Sequence, residues 1–200
     1  MKVINIQSLN PEKFGSRRVG HKKQNKQQLD LFAEGKVLQL HSQSVFEEAL
    51  MLDEKGNTEE ACRLYHKAAK EEEHAADAYC NLGILKCREG KMAEAVHFLT
   101  LGLKHNPRHL EAHFNLANLY AEIGNLKLGK LHYEVCIKIE PEFTNSYFNL
   151  GLTLAAAQKY EEAIEILKQY SERVSPEDGK DATDMILKLQ LMLNSTPKCG

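Results

Sequence analysis

The chain has no tryptophan and only five prolines among its 200 residues. It has no run of 18 apolar residues, which excludes a helix that crosses a membrane. Met1-Lys2-Val3-Ile4-Asn5 lacks the apolar stretch of a signal peptide, so a cytoplasmic location is expected. Cysteine is scarce and odd in number, five in all, with no Cys-x-x-Cys pair. That pattern fits free thiols used as small apolar residues, not a disulfide framework. Cys80 and Cys87 fall two turns apart on one helix, about 10 Å by rise per residue, which is beyond disulfide reach. No segment alternates with period two, so no sheet is expected.

Chemistry-bearing motifs are equally thin. Gly124-Asn125-Leu126-Lys127-Leu128-Gly129-Lys130 has the glycine and lysine spacing of a phosphate loop. Leu131 stands where a hydroxyl should reach Mg²⁺, and no strand precedes it. His105, His109 and His113 are spaced by four, but Pro107 separates them, so they share no helix face. No His-Glu-x-x-His occurs and no Ser/His/Asp set stands out. The expectation is therefore a protein that is not an enzyme, with no cofactor and no metal.

What the chain does have is a repeat of 34 residues in fixed phase. Leu82-Gly83 returns as Leu116-Ala117 and Leu150-Gly151, Pro107 as Pro141, and Gly56 as Gly90 and Gly124. Ala61, Ala95 and Ala163 share a phase, with Gly129 in the remaining slot. The blocks are 42–75, 76–109, 110–143 and 144–177. A period of this size marks a stacked array, in which each unit buries its apolar face on its neighbours. Small residues at block positions 8 and 20 let two antiparallel helices approach closely. The glycines suit a left-handed helix end, and the prolines stop the second helix of a block. The phase predicts helices at about 42–55, 58–72, 76–89, 92–105, 110–123, 126–139, 144–157 and 160–173.

These phased residues resemble the tetratricopeptide repeat (TPR). Block three carries the pattern as His113, Leu116, Ala117, Tyr120, Gly124, Gly129, Tyr133, Cys136 and Pro141. Block four carries Tyr147, Leu150, Gly151, Leu154, Ala163 and Leu167, with its proline one place late at Pro176. Block one is weakest, with Glu73 where proline is expected. The resemblance implies an all-α, right-handed TPR solenoid of four helix-turn-helix repeats. Gly179 to Leu193 places Ala182, Met185, Ile186, Leu189, Met192 and Leu193 at helical spacing. This stretch, 178–194, is expected to be a capping helix over the last repeat, followed by a tail, 195–200.

Charge is unevenly placed. Residues 1–40 carry eight Lys or Arg and three Asp or Glu, a net +5, so the other 160 residues carry −7 against a total of −2. Arg17, Arg18, Lys22, Lys23 and Lys26 read as a flexible basic arm. The arm either links or docks in cis on the acidic solenoid; an alternative gives it a nucleic-acid contact within a transcriptional or signalling regulator, which is disfavoured because no helix-turn-helix pattern is visible.

Asn81, Asn115 and Asn149 recur at block position 6, and Asn118 extends the row at position 9. The resemblance places these positions on the concave face, and the row looks like the asparagine ladder of the O-GlcNAc transferase TPR superhelix, whose members hold a peptide backbone. A carboxamide is both donor and acceptor and can pair with any peptide group. The same asparagines could instead bond between neighbouring helices. Phe46, Cys80, Phe114 and Phe148 form an apolar row at position 5, Leu50, Ile84 and Leu152 follow at position 9, and about half of these are expected in the core. Asp77 and Glu111 add acid at position 2, favouring a neutral or basic partner. Chaperone-binding TPR domains clamp a terminal carboxylate with lysines at positions 5 and 2, and those cations are absent here: Phe46, Cys80 and Phe114, and Glu111 and Asn145, take their places. The sequence thus predicts a monomeric protein-interaction adaptor that binds a peptide or protein segment, with no membrane partner.

Overall fold

The computed structural model describes residues 44–71 and 74–195. The basic arm of residues 1–40 and nearly all of the tail lie outside them. Among the described residues there are nine helices and no strand: α1 (Val45–Glu54), α2 (Thr58–Ala68), α3 (Ala75–Arg88), α4 (Met92–His105), α5 (Leu110–Glu122), α6 (Leu126–Ile139), α7 (Thr144–Ala156), α8 (Tyr160–Ser171) and α9 (Lys180–Ser195). The arrangement is the all-α TPR solenoid expected: odd-numbered A helices pair with the even-numbered B helices that follow. No helix among the described residues is long and apolar enough to cross a membrane.

Helix ends follow local chemistry. Ser44 opens α1 with a reciprocal cap: its hydroxyl accepts from the Glu47 backbone N–H and the Glu47 carboxylate accepts from the Ser44 N–H. At the end of α3, Gly90 N–H reaches Cys87 O and Lys91 N–H reaches Lys86 O, closing the last turn through a left-handed residue. Gly56, Gly90 and Gly124 have φ of +80°, +73° and +80°. In block four this place is held by Gln158 at φ +60°, which carries the side-chain penalty the glycines avoid. Gln158→Gly is therefore expected to raise stability by about 0.5–1 kcal/mol. Urea unfolding checks this, and a lower midpoint would count against it.

The core rests on a small-to-large pairing within each repeat. Gly83 on α3 faces Leu99 on α4, and Gly151 on α7 faces Leu167 on α8. Where position 8 is alanine, position 24 is tyrosine: Ala49 with Tyr65, and Ala117 with Tyr133. All four of those side chains are fully buried. Gly129 brings α6 onto the backbone of α5 at Ala117 and Ala121. Buried Ala182, Met185 and Leu189 of α9 join the cluster of Phe148, Leu167 and Tyr170, so α9 covers the flank of α8 as a cap should.

Candidate functional site

The A helices lie side by side, α3 against α5 and α5 against α7. This brings the asparagines of successive blocks next to one another. Asn115 Nδ2 donates to Cys80 Sγ at 3.7 Å, and Asn149 Nδ2 donates to Asn118 Oδ1 at 3.1 Å. The Tyr133 hydroxyl donates to the same Asn118 Oδ1 at 2.6 Å. Burial pushes the Tyr133 phenol well above its ordinary pKa, against the opposing hydrogen bond with Asn149, so it remains a donor. Asn81, Asn115, Asn118 and Asn149 are all buried, at 1%, 2%, 8% and 0% exposure. At least one bond of Asn115 and one of Asn149 thus tie adjacent A helices, which is the second of the two roles open at the level of sequence.

Asn118 differs from its phase mates. Ile84 and Leu152 hold the same place in blocks two and four and are buried apolar residues. Asn118 puts an amide there, and its Nδ2 is buried with no hydrogen-bond partner among the described residues. An unsatisfied buried donor costs about 1–3 kcal/mol.

The aromatic row is buried more completely than expected. Phe46 packs on Tyr65 and His74 at centroid distances of 5.8 and 5.0 Å. Phe114 meets Tyr133 and Phe143 at 6.0 and 4.9 Å, and Phe148 meets Tyr170 at 5.1 Å. The expectation that about half of the residues at positions 5 and 9 would be core is corrected in that direction: all but the half-buried Leu50 are buried, and the rings of Phe46, Phe114 and Phe148 each pack on an aromatic side chain of their own repeat.

Asp77 and Glu111 remain partly accessible, at 32% and 23% of their side chains. Asp77 is held by His109, which sequence reasoning set aside. Its Nδ1 accepts from Ala112 N–H at 3.1 Å and caps α5, leaving Nε2–H to donate to Asp77 Oδ1 at 2.9 Å. Burial raises the Asp77 carboxyl, but the bond and charge of His109, with His74 nearby, more than offset this and hold it below its ordinary value. Farther along the A helices, buried Asp53 on α1 is paired with Arg88 on α3 at 3.1 Å.

A second histidine arrangement was also illegible. His113 Nε2–H donates to Pro107 O at 3.0 Å, so its Nδ1 accepts from His132 Nδ1–H at 2.9 Å. Burial pulls both rings below their ordinary value, and the neighbouring His113 charge adds to this at His132, which falls to about 4. The unfolded chain takes up these protons near pH 6.5, whereas folded His132 refuses its own until about 4. Stability from the pair is complete above about 6.5 and drains as pH falls toward 4. The urea midpoint is expected to fall between pH 7.5 and pH 5, with a shallower fall in His132→Gln. An equal slope in the variant would contradict this.

The phosphate-loop spacing is absorbed by the fold. Gly124 turns the chain after α5, Gly129 lies inside α6, and Lys130 pairs with Glu162 at 2.8 Å. Burial pushes the Cys87 thiol up to about 11 and raises Cys80 further, in keeping with their packing role.

Comparison with known proteins finds the same repeat in the second half of the array. Residues 110–143 and 132–165 each match a tetratricopeptide repeat family model. Hsp70-Hsp90 organizing protein 3 of Arabidopsis thaliana is 32% identical over 82 residues, 41% of this chain and 15% of that protein. The chain therefore spans a small part of the curated relative it matches. The first TPR of Spaghetti (RPAP3) bound to the HSP90 peptide SRMEEVD is similar in fold, with a TM-score of 0.56 at 22% identity, covering 60% of this chain and 94% of that one. YrrB, a TPR protein with an unusual peptide-binding site, has a TM-score of 0.66 at 19% identity, covering 77% and 78%.

Proposed function

We propose that this tetratricopeptide repeat protein is a protein-interaction adaptor that holds an extended, neutral or basic segment along the concave face of its A helices. The observation that carries the reading is the unpartnered Nδ2 of Asn118, a buried donor in a place its phase mates fill with aliphatic side chains. A peptide carbonyl would satisfy it on a shift of the side chain or A helices that opens this buried amide to the groove. Asn81, Asn115 and Asn149 lie at one repeated position on the flanking helices and can serve the same backbone, since a carboxamide has more than one donor and acceptor. Asp77 and Glu111 set the sign of the charge at the accessible edge of this face.

That sign separates the chain from the TPR domain bound to SRMEEVD. Asp77, Glu111 and Asn145 occupy the three described position-2 places, and none of them supplies the cation a carboxylate clamp needs. An acidic peptide would meet like charge on two helices and no compensating cation on the third. The test is an array of extended peptides graded in charge, with SRMEEVD included, probed with the full chain. Neutral and basic peptides are expected to be retained and SRMEEVD to be lost. Preferential retention of SRMEEVD would overturn the proposal.

A further inference from the structure

The A-helix face ends in a recess of about 70 Å³ between α7 and α9. Its lining residues are Phe148, Leu152, Met185, Asp181, Asp184 and Lys188. The first three are buried and give an apolar floor; the last three are exposed and form a rim with two carboxylates and one ammonium. An apolar floor under carboxylates suits a side chain with a hydrocarbon stem and a cationic head, which is lysine or arginine.

We propose that this recess anchors a lysine or arginine of the chain's own residues 13–26, which then lie in cis along the A-helix face. The inference rests on the reading that this face holds an extended segment, and it names the occupant. Lys13, Arg17, Arg18, Lys22, Lys23 and Lys26 give this stretch six cations and no carboxylate. The rest of the chain beyond residue 40 carries a net −7, so the two parts are complementary in charge. Reach is sufficient. Residues 27–43 supply 17 residues, which extend to about 55–60 Å. Four steps between adjacent A helices, from α1 to α9, need about 40 Å at usual helix spacings. Being tethered, the segment meets the recess at an effective concentration in about the millimolar range, so modest affinity suffices. A neutral or basic partner segment would have to displace it.

The experiment uses the full chain with a benzophenone photo-crosslinking side chain in place of Phe14. It is irradiated at high dilution and the linked peptides are mapped by mass spectrometry. Links within one chain to α7 or α9 are expected, decreasing about 5-fold or more in Asp181→Lys/Asp184→Lys and weakening as salt shortens the range of charge attraction. Both aspartates are exposed, and circular dichroism of the variant checks that its helices are kept. Links confined to other helices, links only between copies, or a yield unchanged by charge reversal would overturn the proposal. The peptide array reads the groove separately: a failed crosslink beside retained basic peptides removes the cis occupant alone.

Discussion

Gly83→Leu and Gly151→Leu should each lower the melting temperature sharply. A Cβ at Gly83 would lie 2.6 Å from Leu99 Cγ, and one at Gly151 would lie 2.6 Å from both Cγ and Cδ2 of Leu167. Both leucines are fully buried, so they cannot swing into solvent. The A and B helices must separate or the leucine must leave its rotamer. Overpacking of this kind costs about 1–3 kcal/mol or more, and each kcal/mol is worth roughly 2–4 °C in a domain of this size. Gly90→Leu is the informative contrast. A Cβ there meets nothing within 4 Å, but φ is +73°, so its penalty is backbone strain of roughly 1–2 kcal/mol. Thermal unfolding of the three variants separates the two causes. An unchanged melting temperature in Gly83→Leu would show that the small residue at this phase is not a packing requirement.

Replacing Asn81, Asn115 and Asn149 together by alanine should weaken binding of a retained array peptide by about 10-fold to 10³-fold. Each backbone hydrogen bond is worth about 0.5–1.5 kcal/mol net, and three such losses correspond to that range. The variant should also melt somewhat lower, because Asn115 and Asn149 tie α3 to α5 and α5 to α7. Affinity must therefore be measured well below the melting transition. The single change Asn118→Leu distinguishes the two effects. It installs the residue found at block position 9 in block four and removes the unpartnered donor, but it strips the Tyr133 hydroxyl and Asn149 of the shared acceptor. Asn118→Leu with Tyr133→Phe relieves the hydroxyl's loss and should lose affinity at a smaller stability cost.

Much of the fold was legible because it is local and periodic. The 34-residue phase placed each repeat helix end within a few residues, and helical spacing placed the cap: α9 was expected at 178–194 and runs Lys180–Ser195. Its buried stripe was legible as well, since Ala182, Met185 and Leu189 keep helical spacing. The site was legible only in part. The asparagine row is visible in the phase, but its bonds to Cys80 and Asn118 depend on which repeat faces which. His109 reaches an Asp77 that is 32 residues away, and His113 reaches a His132 that is 19 away. Neither separation equals the repeat period, so neither pair could be found by comparing equivalent positions. The burial of Phe46, Phe114 and Phe148 likewise depends on ring contacts within each folded repeat, such as Phe46 on Tyr65 and Phe148 on Tyr170, which comparing equivalent positions does not reveal.

The central claim is that the A-helix face holds an extended segment through its carboxamides. Side-chain amide NMR signals of Asn81, Asn115, Asn118 and Asn149 report on it directly during titration with a retained array peptide. The account predicts that the Asn118 Nδ2 signals move downfield and saturate with the bound fraction, with the flanking asparagines following. If these signals stay still while the methyl groups of exposed Ile123 and Leu131 move instead, the binding surface lies elsewhere on the solenoid and the account is wrong.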